Sequence, residues 1–218
     1  MHDRRSPREA LQARWWNLMA RMGADPHAAA PIFDALAAAY AEPARHYHTL
    51  DHIAALSCLF DEHGQDLGNR EAVELAIFFH DAVYDPARTD NEEASAALAR
   101  KDLSALGIAP ELTGRVCELI LATRHAAFQP EWAADGDLAL LLDLDLAILA
   151  ADRSEYAAYA AAIRREYSIY PDDLYRAGRR RVLGQFLSRS RIYLTDRLHR
   201  QWDARARANL AWELEAPG

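Results

Sequence analysis

Histidine binds first-row metals and moves protons near neutrality. This chain places three of its nine histidines within seven residues, as His46, His48 and His52 of RHYHTLDHI. His48 and His52 are four apart, a spacing that puts both imidazoles on one face of a helix. The two could then share an ion, or one could bind it while the other handles a proton. His46 would fall about 160° from His48 on that helix and look elsewhere. The alternative is a pair of polar surface histidines. Less than thirty residues later, AIFFHDAVYD sets His80 and Asp81 behind four apolar residues. Such a run predicts a buried helix, where an ionised carboxylate is costly without a partner. A divalent cation is the strongest partner; an arginine is the alternative. Neutral imidazole and carboxylate together suit Mn, Fe, Co, Ni or Zn, and Mg is the hard-ion candidate.

A third element, LALLLDLDLAILAAD, carries Asp143 and Asp145 in a helix apolar almost all round. Being two apart, they point to nearly opposite faces. One can reach a metal; the other needs a salt bridge or a helix terminus. His125, in ATRHA, ends a helix and is a candidate second ligand or phosphate donor, or else a side chain facing its own helix dipole. Arg124 beside it suits an anionic substrate. Glu92 or Asn91 in DNEEASA can reach back and hold a water, or cap a helix. Arg164, Glu166 and Tyr167 in IRREY form a structural or pocket-lining cluster. RAGRRR, residues 176–181, reads as a solvated helix face, with a lesser role as a cation for an anionic ligand.

The elements that must carry these residues are helices. Ser6, Pro7 and Glu9 make a capping box with proline at the first helical position, and the helix they open stops at Gly23. Asp25-Pro26 repeats the start signal for a second helix, ending by Pro43. Further helices are expected over 49–64, 69–85, 89–107, 110–128, 135–152, 154–170, 172–190 and 195–215. Connections are short and no repeat or linker interrupts them, as in one helical domain. The expected fold is therefore all-α, a single domain over 1–218, with 1–43 a helical extension packing on the rest.

The 218 residues suffice for one sizeable core. About half are hydrophobic (51%), with only nine glycines and nine prolines, and few runs alternate as strands do. A formal net charge of −8 argues against a nucleic-acid polymer as partner. Cys58 and Cys117 lack metal or redox spacing and are expected to be buried free thiols. No membrane span and no export signal are evident, since the N-terminus is polar and carries Arg4, Arg5 and Arg8. The expected location is the cytoplasm, and the oligomeric state is open.

His52, then His80-Asp81, then a later helical Asp resembles the H…HD…D pattern of the HD superfamily of metal-dependent phosphohydrolases. YHTLDH resembles the tyrosine-histidine stretch of cyclic-nucleotide phosphodiesterases, in which the first histidine is the proton donor and the second a metal ligand. LDLDLAIL is similar to the helix carrying the last metal Asp there, provided that Asp145 is the ligand. HDAVYD resembles the motif of guanosine-tetraphosphate hydrolases, with Asp85 in place but Tyr84 where that motif has Glu. More closely, RHYHTLDHI, FFHDAVYDP, DNEEASA, ATRHA, LDLDLAILA, YAAAIRREY and ARANLAWEL resemble a bacterial family of predicted HD phosphohydrolases of about 200 residues.

The resemblance implies an HD-domain, phosphodiesterase-like helical fold. It implies one divalent ion held by His52, His80, Asp81 and Asp145. His48 would protonate the leaving oxygen, and Asp81, with Glu92, would orient a water. Arg45, Asp85, Arg124 and His125 are the substrate-binding candidates. The substrate would be a nucleotide or other small phosphorylated metabolite. An HD-fold di-iron oxygenase would need two further histidines between Asp81 and Asp145, where this chain has only His125. A metal-dependent nucleotide sensor with little turnover is the alternative from another class, although a pure binder needs no proton donor.

Overall fold

The computed structural model describes residues 6–125 and 129–215. Among them are ten α-helices, two short 3₁₀ segments and no strand, so the chain is all-helical. The helices are α1 (Pro7–Arg21), α2 (Pro26–Ala39), α3 (Leu50–His63), α4 (Arg70–Phe79), α5 (Asn91–Ala105), α6 (Pro110–Ala122), α7 (Gly136–Asp145), α8 (Arg153–Glu166), α9 (Asp172–Ser188) and α10 (Asp196–Glu215). The helices cluster into two compact units, residues 1–128 and 129–218. No described helix is long and apolar enough to cross a membrane.

In the first unit the local signals act as read. Ser6 and Glu9 form the capping box of α1, and Asp25 caps α2 through the His27 amide. Gly23 and Gly107 follow α1 and α5 with φ of 68° and 71°, a left-handed geometry that costs glycine little. The centre of the unit is α4, whose residues from Ala72 to Phe79 are all buried. It packs against α3, α5 and α6, while α1 packs on α2 and α3. Trp15 of α1 is fully buried, edge-on to Phe78 at 5.3 Å, with its indole N–H donating to the Ala29 carbonyl at 3.1 Å. Residues 7–39 thus help to build this core. Glu74, the one charged residue on the buried length of α4, is ion-paired to Arg14 (2.6 Å) and to Arg21, which offsets the cost of its burial.

Two sequence expectations change here. The apolar run of α4 ends at Phe79, with His80 as its C-cap, rather than continuing towards Pro86. Cys58 is exposed; Cys117 is buried as expected, its thiol donating to the Ala96 carbonyl at 3.3 Å. Helix α6 stops at Ala122, and the end of the helix expected to reach residue 128 falls partly outside the described residues.

In the second unit, the segment expected as one helix over 135–152 is α7 followed by a 3₁₀ segment, Ala147–Ala150. A second 3₁₀ segment, Pro130–Ala134, precedes α7. Asp143 is fully buried. It accepts hydrogen bonds from the Leu194 amide (2.5 Å), the Thr195 amide (2.8 Å) and the Thr195 hydroxyl (2.6 Å). That hydroxyl in turn accepts from the Leu198 amide at 3.3 Å, so Asp143 secures the N-terminal cap of α10. Burial pushes its carboxyl up to about 6, and the three donors act against that rise. Asp143 therefore has the helix-terminal partner that one of the two aspartates was expected to need. Asp143→Ala leaves the buried Leu194 amide and the half-buried Thr195 amide and hydroxyl without this acceptor. It should lower the unfolding free energy by about 3 kcal/mol, read as a lower urea midpoint. A midpoint within error of wild type would refute this role.

RAGRRR lies on α9, where Arg176, Arg180 and Arg181 are exposed, as expected for a solvated face. Arg179 differs: its guanidinium is bidentate to Glu213 at 2.8 and 3.0 Å. In the IRREY cluster, Arg164 pairs with Asp172 and donates to the Tyr167 carbonyl, joining the end of α8 to the start of α9.

Candidate metal centre

The site forms where the chain entering α3 meets the end of α4. A helix leaves its last carbonyls without intrahelical donors, and at α4 two side chains and one backbone amide supply them. The Ile77 carbonyl is 3.1 Å from His80 Nδ1. The Tyr40 hydroxyl donates to Phe78 at 3.0 Å, and the Ala82 amide to Phe79 at 3.0 Å. Just beyond, Arg45 donates to the carbonyls of Asp81 (2.6 Å) and Ala82 (3.0 Å). The following loop is pinned to α5. Ser95 exchanges hydrogen bonds with the amide and carbonyl of Val83, and Asn91 does the same with Asp85.

These contacts bring His52, His80 and Asp81 together as a group able to hold a metal ion, with one ligand atom of each within 4.8 Å of the others. His80 Nε2 lies 3.1 Å from Asp81 Oδ2 and 3.4 Å from His52 Nε2. His52 Nε2 lies 3.9 Å from Asp81 Oδ2. Donors about 2.1 Å from one ion stand about 3.0 Å apart at a right angle and about 3.4 Å apart at the tetrahedral angle. The two shorter separations fall there; the third corresponds to a wider angle.

The donor chemistry fits a cation as well. A carbonyl only accepts, so the contact to Ile77 makes His80 Nδ1 the protonated nitrogen and leaves a lone pair on Nε2. That lone pair faces a carboxylate oxygen and a second imidazole nitrogen. One proton satisfies two of these three atoms; a divalent ion satisfies all three. The C-terminal end of α4, where His80 and Asp81 sit, carries the negative end of its dipole and favours a cation there. The His52 and His80 side chains are 2% and 1% exposed, while Asp81 and His48 are 20% and 17% exposed. The centre has a closed imidazole side and an open side reached past Asp81 and His48.

His48 is beside the centre for a different reason from the one its spacing suggests. Thr49 is extended and α3 begins at Leu50, so His48 precedes the helix. Its Nε2 is nonetheless 4.0 Å from Asp81 Oδ2, and its ring centroid 6.0 Å from that of His52. Tyr84 holds it, with ring centroids 4.1 Å apart and planes inclined by 32°. Asp81 is also less buried than its apolar neighbours predict, because α4 has ended before it. His46 also precedes α3, so the helical angle expected between it and His48 does not apply, and it is exposed.

The remaining candidates are placed as follows. Arg45 is buried, with Nη1, Nη2 and Nε directed at carbonyls and at Glu42. Asp85 is exposed and accepts from the Ala87 amide at 2.8 Å, shaping a turn. Arg124 pairs with Glu93 and donates to the Thr89 carbonyl at 2.9 Å. His125 is half-buried with φ of 39°, and Glu92 is half-buried in the first turn of α5. None of Glu92, Asp85, Arg124 and His125 belongs to the metal-ligating group. Asp145 is the last residue of α7, in the second unit, and half-buried; its ligand assignment rests on the sequence pattern alone.

The sequence reading missed Tyr84 as the support of His48 and Tyr40 as a cap of α4. Their signal is the aromatic flanking of the histidines, Tyr40, Tyr47 and Tyr84, which reads as packing until the backbone folds. No protein-family model, curated protein or solved structure matches the chain.

Proposed function

We propose that this protein is a metal-dependent phosphohydrolase, cleaving a phosphoester of a nucleotide or another small phosphorylated metabolite, on a helical fold of the HD-domain type. The observation that carries the reading is the convergence of His52, His80 and Asp81, with a non-ligand imidazole, His48, on the open side. The sequence resemblance to HD phosphohydrolases supports it. A divalent ion held there supplies Lewis acidity toward a phosphoryl oxygen and toward a water nucleophile. Asp81 can bind through one oxygen and take a proton from the attacking water. His48, packed against Tyr84 with its Nε2 4.0 Å from Asp81 Oδ2, can donate a proton to the leaving oxygen. The net charge of −8 favours a small substrate steered locally over a polyanion. With both cysteines free, we place the protein in the cytoplasm.

The test is turnover by wild-type protein. Nitrophenyl phosphate, bis-nitrophenyl phosphate, mononucleotides and cyclic nucleotides are each assayed with Mn²⁺, Co²⁺ and Mg²⁺. Metal-dependent release of nitrophenol, phosphate or nucleoside is expected. No turnover on any of them would replace hydrolysis with the sensor or oxygenase reading.

A further inference from the structure

We infer that Arg45 is a positioning residue that sets the geometry of the metal centre and of the proton donor together; this rests on the metal reading above. Arg45 is 2% exposed at its side chain, and three features tie it to the site. Its Nη1 reaches the carbonyl of Asp81 at 2.6 Å and lies 3.4 Å from that of His48. Its Nη2 holds the carbonyl of Ala82 at 3.0 Å. Its guanidinium carbon lies 5.6 Å from the ring centroid of Tyr84, which packs against His48, and 5.2 Å from that of Tyr40, which caps α4.

The segment before α3 and the segment after α4 are thus joined through one planar fork. The residues whose backbone it grips, His48 and Asp81, are the two with side chains on the open side of the centre. Glu42, 3.1 Å from Nε, supplies the counter-charge at the surface end. The arrangement needs a planar group with several fixed donors and a flat face. Lysine keeps the charge but offers one point of donation and no face for Tyr84. It cannot hold the carbonyls of residues 48, 81 and 82 at once. Arg45→Lys should therefore shift Asp81 relative to His52 and His80 while the cores around α4 stay packed.

Co²⁺ reads this directly, since its visible absorption follows coordination geometry. Apo wild type and Arg45→Lys are titrated with Co²⁺, and thermal unfolding of both is followed by circular dichroism. Arg88→Lys, an exposed change in the same loop, is the control. Supporting residues behind metal ligands typically alter affinity by about 10–100-fold. The expected result is a folded Arg45→Lys with Co²⁺ affinity lowered by that order and an altered absorption band, while Arg88→Lys matches wild type. An Arg45→Lys protein with wild-type affinity and band overturns the inference and leaves the metal reading intact. So does a variant already unfolded at the assay temperature, because the fork would then hold the fold and not the site. A wild type that takes up no Co²⁺ removes the metal reading, and the inference with it.

Discussion

His80→Ala should bind no divalent metal tightly. His80 is the centre of the donor set: its Nε2 is the atom close to both of the others, at 3.1 Å from Asp81 and 3.4 Å from His52. Its Nδ1 contact to Ile77 also fixes the tautomer that presents the lone pair. Residues behind a ligand are worth about 10–100-fold in affinity, so removal of this ligand should cost more than about 100-fold. Asp81→Ala should act similarly, since it removes the only anionic member of the group. His46→Ala, at an exposed position outside the group, should leave affinity unchanged. Elemental analysis of purified protein and competition with a chelating dye measure these effects. Because imidazole must be neutral to ligate, wild-type affinity should also fall at acid pH. Stoichiometric metal in both His80→Ala and Asp81→Ala would place the ion elsewhere.

His48→Ala should lose catalytic rate while keeping metal. General acid catalysis is typically worth about 10²–10⁴ in rate. His48 contributes no atom to the metal-ligating group, yet its Nε2 lies 4.0 Å from Asp81 on the open side. The loss should approach that range for an alkyl phosphoester, whose leaving oxygen needs a proton, and should be much smaller for a nitrophenyl ester. Metal content should match wild type. Equal losses on good and poor leaving groups would argue against proton donation. Loss of metal together with activity would make His48 a ligand. Tyr84, packed against the ring at 4.1 Å between centroids, is the contact that holds a residue outside any helix.

Most of the helices were legible because their signals are local. A capping box, a proline at the first helical position or a glycine after the last turn acts over a few residues, so Ser6, Pro7, Glu9, Gly23 and Gly107 do in the fold what they announce in the chain. Which polar residues would be buried and in need of partners was legible for a related reason. Polar residues inside apolar helical runs need partners, and His52, His80 and Asp143 are all buried.

The geometry around those residues was not legible, because it depends on contacts between distant segments. The spacing of His48 and His52 suggested one helical face; they meet instead because an extended Thr49 turns the chain before α3. The apolar run into His80 suggested a helix continuing past it. Arg45 and Tyr40, which lie 36 to 38 residues earlier, satisfy carbonyls around the point where α4 ends, and Asp81 opens toward solvent. The opposite faces of Asp143 and Asp145 were written in their two-residue step. That Asp143 would serve the amides of Leu194 and Thr195, about fifty residues on, was not. Local free energies select helices and mark which polar groups need partners; which partner each receives is decided by packing, where the nearest unsatisfied carbonyl or amide belongs to another part of the chain.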